Sequence, residues 1–519
     1  MACLVGIDVG TTGTKTILVT DSGELLASAT VEYSLSTPRP KWSEQDPEDW
    51  VRASLDTVRE VLRLSRVDPA DIKAIGLSGQ MHGLVLLDAA YKPLRPAILW
   101  NDVRTTDQCR EIEETVGRAT LVQETCNPAL EGFTAPKVLW VREHEPATYD
   151  KARHILLPKD YVRFRLTGED AMEVSDAAGT LLFDVRRRRW SKTVLDALHI
   201  PTEWMPPICE SVDVCGGVTR EVADLTGLAE GTLVVGGGAD NACTAVGNGI
   251  VYEGRVGASL GTSGTVLAHT DDVRVDPDLR AHTFCHAVPG KWYTMGVMLS
   301  AGGAFRWFRD TFGATESDEA DRRGLDPYEV LTEKAASAPV GSEGLIFLPY
   351  LTGERTPHAD ANAKGVYCGL TVRHGKSAMI RATMEGITYG MRDSLEIIRD
   401  LGVSVTEITA TGGGARSEFW RAMQADVYNA PVTTVNQEEG PAFGAAILAG
   451  VGAGVFGSCE EAVEALVRTT TRTAPEPDNV AIYDRYYRVY RDLYPSLKPH
   501  FDAITEIVES TVGSTEDDL

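Results

Sequence analysis

The sequence predicts an α/β chain of two similar domains, and three observations carry that prediction. A Gly/Thr-rich hairpin motif is written twice. Val5-Gly6-Ile7-Asp8-Val9-Gly10-Thr11-Thr12-Gly13-Thr14 aligns with Val256-Gly257-Ala258-Ser259-Leu260-Gly261-Thr262-Ser263-Gly264-Thr265, identical at six of ten positions. Strand-like and helix-like periods alternate after each copy. The length, 519 residues, exceeds what one core usually supports and fits two domains of about 250 residues. Two unrelated Gly-Thr turns are the alternative; identity in register favours duplication.

The elements follow in order. Residues 5–20 read as the first hairpin and 24–34 as a third strand after the turn Asp21-Ser22-Gly23. Asp46-Pro47-Glu48-Asp49 opens a helix, with proline at its first position and acids in its first turn. Val51, Leu55, Val58 and Leu62 form its buried stripe. Residues 72–77 are a strand that ends in Ser78-Gly79-Gln80-Met81-His82-Gly83. Hairpin, third strand, helix, strand is the opening order of an actin-like nucleotide-binding domain.

After the second hairpin comes a long helix from Ser377, with Ile380, Met384, Ile387, Met391, Leu395 and Ile398 on one face. Strand 403–411 runs into Gly412-Gly413-Gly414, and Ser417 caps a helix carrying Phe419, Trp420, Met423 and Val427. Gly440-Pro441-Ala442-Phe443-Gly444-Ala445-Ala446 opens a helix whose small residues admit close backbone approach. The expected division is 1–250, 251–500 and a partly ordered acidic tail, 501–519.

Composition excludes several classes. A net charge of −25 offers no basic field for nucleic acid, so no such partner is expected. No apolar run approaches the roughly 18 residues of a membrane span. Nine cysteines contain no C-x-x-C pair, and the start lacks a basic, cleavable leader. A reduced, cytoplasmic chain is expected, not a disulfide framework or zinc site.

A P-loop is absent: Gly369 to Gly375-Lys376-Ser377 has five intervening residues where the pattern needs four, and Ser377 reads as a helix cap. No glycine fingerprint of a dinucleotide site follows a strand. Phosphate binding therefore falls to the two hairpins, whose backbone N–H groups and hydroxyls, Thr11 and Thr12 among them, converge into anion cradles. Asp8 beside such a cradle would repel phosphate unless a cation intervened, which implies Mg²⁺ held directly or through water. A turn residue bonding its own backbone is the alternative.

Val235-Gly236-Gly237-Gly238-Ala239-Asp240-Asn241 runs a strand into three glycines and a carboxylate. Asp240 reads either as the base that takes a proton from an acceptor hydroxyl or as the N-cap of the next helix. Gln80-Met81-His82-Gly83 and Trp100-Asn101-Asp102 supply amide, imidazole, carboxylate and indole, a set suited to a polyol. A histidine in a loop is more often simply satisfied there than a ligand contact.

The paired hairpins, Gly-Gly-Gly-Ala-Asp-Asn, Phe133-Thr134-Ala135-Pro136-Lys137-Val138-Leu139-Trp140, Pro349-Tyr350-Leu351-Thr352-Gly353-Glu354-Arg355-Thr356-Pro357 and Gly412-Gly413-Gly414-Ala415-Arg416 together resemble the FGGY carbohydrate kinases. Gln80–Gly83, Trp100–Asp102 and Leu157-Pro158-Lys159-Asp160-Tyr161 resemble the members of that family that act on D-xylulose. The resemblance runs to about residue 495.

It implies two actin-like (ribonuclease H-like) domains with a mixed five-stranded sheet each and an ATP/sugar cleft between them. It makes Asp240 the general base and Met81 and His82 sugar contacts, with Gln80, Trp100, Asp102 and Asn241 nearby. Gly261, Thr262, Ser263, Gly412, Gly413, Gly414 and Ala415 become ATP contacts, with Thr11, Thr12 and Lys15 on the phosphates. Lys15, Arg104 and Arg355 could equally serve hinge ion pairs. The implied reaction is direct phosphorylation of D-xylulose by Mg-ATP at the C5 hydroxyl, with a homodimer an admissible assembly. Rivals are a family member acting on ribulose, glycerol, gluconate or a deoxy-sugar, an actin-like ATPase, and a catalytically idle sugar sensor.

Overall fold

A computed structural model describes residues 2–437 and 439–516. The chain divides into two compact units, neither of them one stretch. Unit 1 comprises Met1–Glu253, His269–Tyr293 and Asn436–Arg468; unit 2 comprises Gly254–Ala268, Thr294–Val435 and Thr469–Leu519. A single boundary near residue 250 does not describe this, because two segments of the second half fold with the first.

In unit 1, strands β1 (Cys3–Val9), β2 (Gly13–Thr20), β3 (Leu25–Glu32), β4 (Ile72–Gly79), β5 (Val214–Gly217), β6 (Leu233–Val235) and β7 (Gly238–Ala239) form a seven-stranded sheet. Its order is β5-β6-β4-β1-β2-β3, with β7 against the end of β4. β1–β2 and β2–β3 are antiparallel; β1–β4 and β4–β6 are parallel. The expected five strands are the mixed core β3-β2-β1-β4-β6. The two further strands, β5 and β7, flank the glycine turn that leads to Asp240.

Helix α1 (Pro47–Ser65) begins as its sequence dictates. Asp46 accepts the Glu48 N–H at 3.0 Å and Pro47 fills the first position. Its buried face sets Trp50, Val51, Val58 and Val61 against Val5, Ile7, Leu18 and Ile75 of the sheet.

Helix α2 (Gly440–Gly452) belongs to unit 1 and explains its own small residues. A Cβ on Gly6 would lie 1.9 Å from the Ala442 carbonyl oxygen, and one on Gly76 would lie 2.0 Å from that of Ala445. A Cβ on Gly444 would lie 1.9 Å from the Cys243 oxygen. The helix therefore rests backbone to backbone on β1, β4 and the helix that Asp240 begins.

In unit 2, β8 (Arg255–Leu260), β9 (Gly264–Thr270), β10 (Trp292–Met298), β11 (Glu407–Gly412), β12 (Val432–Val435) and β13 (Thr469–Thr473) run in the order β10-β9-β8-β11-β12-β13 within a second seven-stranded sheet. The mixed core of five recurs as β10-β9-β8-β11-β12. Its hydrophobic core joins Val256, Ala258 and Ile408 to Ile380, Met384 and Ile387 of the helix Lys376–Asp400 and to Tyr483 and Tyr490 of the helix Pro477–Glu516.

Four details depart from expectation. The hairpins do not close alike: Val9 pairs with Thr14, whereas Leu260 pairs with Gly264. The turn is one residue longer in the first copy, so Lys15 stands opposite Asp8 while Thr265, not Val266, stands opposite Ser259. Ser377 is not a cap; Gly375 takes that position without any side-chain bond. The strand expected from 403 begins at Glu407, because Val403 N–H still bonds Ile398 as the helix unwinds. The terminal helix runs on through Glu516 where a partly ordered tail was expected, and 517–519 lie outside the described residues.

Candidate active site

Two groups of predicted residues stand in different units. The first surrounds Asp240. Three glycines carry the chain from β6 into the helix Asp240–Gly247. Gly237 has φ +74°, and a Cβ there would meet the Leu77 carbonyl oxygen at 2.0 Å, so only glycine makes this turn. Ala239, not Asp240, occupies the cap position, which removes the N-cap alternative.

Asp240 Oδ1 accepts the Asn241 backbone N–H at 2.7 Å and its Nδ2 at 3.0 Å. Burial, then the charge of Asp8, raise the Asp240 carboxyl to about 7. A carboxylate of that acidity is poised to exchange a proton near neutrality.

A buried ionic cluster supports this turn. Lys159 Nζ donates to Asp160 Oδ1 at 2.7 Å and to the Gly236 carbonyl at 3.2 Å, with Asp176 Oδ2 at 3.3 Å. Burial opposes the lysine charge, but Asp160, Asp176 and Glu173 outweigh it. Burial pushes Asp176 well up against the Lys159 charge, with Asp160 and Glu173 adding to the rise, and Arg163 Nη2 stands 3.7 Å from Asp160 Oδ1. Ser175 Oγ donates to Glu173 at 2.7 Å and accepts the Ala239 N–H at 2.9 Å, one residue before Asp240.

Met81 and His82 stand beside the same carboxylate. Met81 Sδ lies 3.9 Å from Asn241 Nδ2 and from the Tyr293 hydroxyl. His82 has φ +69°, a conformation a non-glycine residue adopts only when held. Thr134 Oγ1 and Lys137 Nζ both donate to its carbonyl, at 3.0 and 2.9 Å. Its Nδ1–H donates to the Gly179 carbonyl at 2.6 Å, which makes Nε2 the acceptor of the neutral ring. Phe133 packs on the imidazole at 4.6 Å between centroids. Burial lowers Lys137 to about 7, so the ammonium that braces His82 is itself easily neutralised.

The remaining predicted residues of this unit are braced, not displayed. Gln80 Nε2 donates to Gln45 Oε1 at 3.1 Å and to the Gly10 carbonyl at 3.4 Å, and its Oε1 accepts from Thr11 at 3.1 Å. Trp100, 46% exposed, donates from Nε1 to Thr11 Oγ1 at 2.9 Å, so Thr11 ties the indole to the first turn. Thr12 is exposed at the tip. Asp102 is 0% exposed. Its oxygens take the Ser43 N–H at 2.6 Å and the Arg104 guanidinium at 2.6 and 2.8 Å. Arg104 in turn stacks on Trp42 at 3.6 Å. In this conformation Asp102 orders the loop that carries Trp100.

Asp8 sits opposite Lys15, and Lys15 is ion-paired with Glu439. Burial raises Asp8 to about 6, against the Ser78 hydroxyl and then the Lys15 charge. Its Oδ1 has no hydrogen-bond partner among the described residues. No group of three or more His, Cys, Asp or Glu among them could hold a metal. One orphaned carboxylate oxygen suits Mg²⁺, which keeps most of its waters and completes its shell with substrate phosphates.

The second group lies in unit 2. β8 and β11 pair in parallel through Leu260 and Gly412, which sets Gly261-Thr262-Ser263 next to Gly412-Gly413-Gly414. Gly261, Thr262, Ser263, Gly412 and Gly413 are exposed. Gly412 has φ +76°, and a Cβ there would meet the Leu260 oxygen at 2.6 Å. Gly302 and Gly303 N–H groups donate to the Gly261 and Thr262 carbonyls at 2.8 and 2.9 Å. Those bonds turn the loop's oxygens inward. Arg421 Nη1 holds the Ala415 carbonyl at 2.6 Å. The result is a glycine-walled surface on which an anion can approach the backbone.

Sequence reasoning missed Tyr293, Gly179, Ser175, Gln45 and the Gly302-Gly303 pair. Tyr293 lies in a segment of the second half that folds with the first. A glycine was the signal available for two of the others, Gly179 in Ala-Ala-Gly-Thr and Gly302 in Ala-Gly-Gly-Ala, whereas no glycine adjoins Ser175 or Gln45.

Residues 3–247 match the model of the FGGY family of carbohydrate kinases, N-terminal domain, and residues 256–453 that of its C-terminal domain. The chain is 43% identical over 498 residues to a xylulose kinase of Bacillus subtilis, covering 96% of this chain and 98% of that one. It is 41% identical over 496 residues to a xylulose kinase of Escherichia coli, covering 95% and 99%. The crystal structure of xylulose kinase from Rhodospirillum rubrum superposes with a TM-score of 0.89 at 31% identity, covering 96% and 100%.

Proposed function

The chain belongs to the FGGY family of carbohydrate kinases, and on that premise we propose that it transfers the γ-phosphoryl group of ATP to D-xylulose, forming D-xylulose 5-phosphate. The observation that carries this reading is the buried Asp240 carboxylate, raised to about 7 and adjoining Asn241 and Met81. Relatives of 41–43% identity named xylulose kinase support the choice of sugar.

Met81, His82 and Asn241 bind the sugar, and Trp100 lies over it. Asp240 accepts the proton of the C5 hydroxyl as that oxygen bonds the γ-phosphorus and the bond to ADP breaks. Gly261–Ser263 and Gly412–Ala415 hold the nucleotide through backbone N–H groups. Asp8 would hold Mg²⁺, directly or through water, and the ion would neutralise charge on the phosphates. Lys15 exchanges Glu439 for a phosphate oxygen, with Thr11 and Thr12 beside it.

Asp240→Asn keeps the shape and the sugar contacts but cannot accept a proton. It should lose about 10²–10⁴-fold in kcat with sugar binding retained in calorimetry. Near-normal turnover in this variant would remove Asp240 from the role of base.

A further inference from the structure

The loop that backs the glycine turn contains two cysteines in contact. Cys209 ends the short strand Ile208–Cys209, paired in register with Glu173, and Cys215 lies in β5. Their sulfurs are 3.2 Å apart, and both residues are partly exposed. Six of the other seven cysteines are buried.

The segment between the two sulfurs holds the turn directly. Ser211 O accepts the Gly237 N–H at 2.9 Å and Asp213 O accepts the Gly236 N–H at 2.9 Å. Ser211 Oγ donates to Glu173 at 3.0 Å. A Cβ on Gly236 would meet Glu210 O at 2.7 Å and Cys209 Sγ at 3.1 Å, so the turn has no slack against this loop.

We infer that Cys209 and Cys215 form a reversible dithiol modification site, oxidised by small-molecule disulfides, that controls the turn positioning Asp240. Cys215 is the attacking sulfur. Its Sγ–H donates to Cys209 Sγ at 3.2 Å and to the Asp213 carbonyl at 3.5 Å; the contact with Cys209, then the Arg163 and Lys159 charges, lower its pKa against burial and Asp160. The contact with Cys215, then desolvation, raise the Cys209 thiol.

The Cys215 thiolate attacks one sulfur of the disulfide; that S–S bond breaks, one thiolate leaves, and a mixed disulfide forms. Cys209 then gives its proton to solvent and attacks the Cys215 sulfur, expelling the second thiolate. Two protein thiols lose two electrons, and the small disulfide becomes two thiols. An S–S bond is about 2.05 Å, so the sulfurs must close by roughly 1.1 Å from the 3.2 Å seen here. A shift of that size passes to Gly236 and Gly237, and a misplacement of about 1 Å at a reacting group costs about 10²-fold.

The cross-link does not depend on the role of Asp240, whereas its kinetic effect rests on that reading. The full-length enzyme is therefore incubated with oxidised glutathione and followed by peptide mass and by ADP release. The expected result is loss of two hydrogens from the peptide containing residues 209–215 and a fall of at least about tenfold in kcat, both reversed by dithiothreitol. Cys215→Ser should keep the reduced-state rate and become insensitive, and Cys209→Ser should stop at the mixed disulfide. A peptide that never loses two hydrogens overturns the site. A cross-linked enzyme with undiminished kcat overturns the coupling to the turn.

Discussion

The acidity of Asp240 makes a quantitative prediction for the pH profile. A base works in its ionised form, and burial with the Asp8 charge raises its pKa to about 7. Activity is thus fully present above that value and lost as pH falls through it. About half of Asp240 is ionised at pH 7 and about a tenth at pH 6. Asp8, raised to about 6, begins to protonate in the same range. If both must be ionised, log kcat/KM falls with unit slope just below pH 7 and steepens toward two below pH 6. Near pH 5 about 10⁻³ of the plateau remains.

The assay is coupled ADP release from pH 5 to 9 at constant ionic strength. Asp8→Asn removes the second-largest cause of the shift, so its residual activity should show the limb at lower pH, still above the ordinary carboxylate value because burial is unchanged. ATP titrates identically with both enzymes, so the displacement reports on the protein. A wild-type limb near pH 4, or a limb that Asp8→Asn leaves in place, refutes the reasoning.

Three substitutions separate the remaining parts. Gly179→Ala puts a methyl 2.9 Å from Met81 Cε and 3.0 Å from His82 Nδ1; the sugar KM should rise about tenfold, a loss of about 1.4 kcal/mol, with the ATP KM unmoved. Gly412→Ala strains a φ of +76° and crowds Leu260 O at 2.6 Å. The opposite split is expected there, with the ATP KM raised about tenfold, and equal effects on both substrates would contradict the division of labour. Gly444→Ala forces a methyl to within 1.9 Å of the Cys243 oxygen. About 3 kcal/mol of overpacking should lower Tm by about 3–5 °C in a thermal melt; an unchanged Tm would mean α2 can withdraw from the sheet.

Much of the fold was legible because local rules sufficed. Gly and Thr at the hairpin tips, Asp46-Pro47 at the start of α1 and Ser417 before its helix are each explained within a few residues, and each is where the sequence places it. The glycine turn and the loop after β4 pointed to Asp240, Met81 and His82 as candidates, and Met81 Sδ lies 3.9 Å from the Asn241 amide beside Asp240. The misses come from distant pairing. Nothing near His82 says that its backbone is held left-handed by Thr134 and Lys137, or that Tyr293 reaches Met81. Nor does the sequence near Asp102 show that Arg104 grips its carboxylate, because Trp42 and Ser43, which seal the pair, lie about sixty residues earlier. The hairpin copies align without a gap, and the sequence shows that only the first carries Asp8 and Lys15; that its turn is one residue longer, which sets the two opposite each other, is visible only in the pairing.

The central claim is that this site phosphorylates D-xylulose in preference to related polyols. Its most direct test is ADP release measured with D-xylulose, D-ribulose, glycerol and D-gluconate under identical Mg-ATP. The account predicts a kcat/KM for D-xylulose at least about a hundredfold above the others, the margin that a site built to bond particular hydroxyls can reach. Equal rates on all four, or none above the rate with water alone, would contradict it.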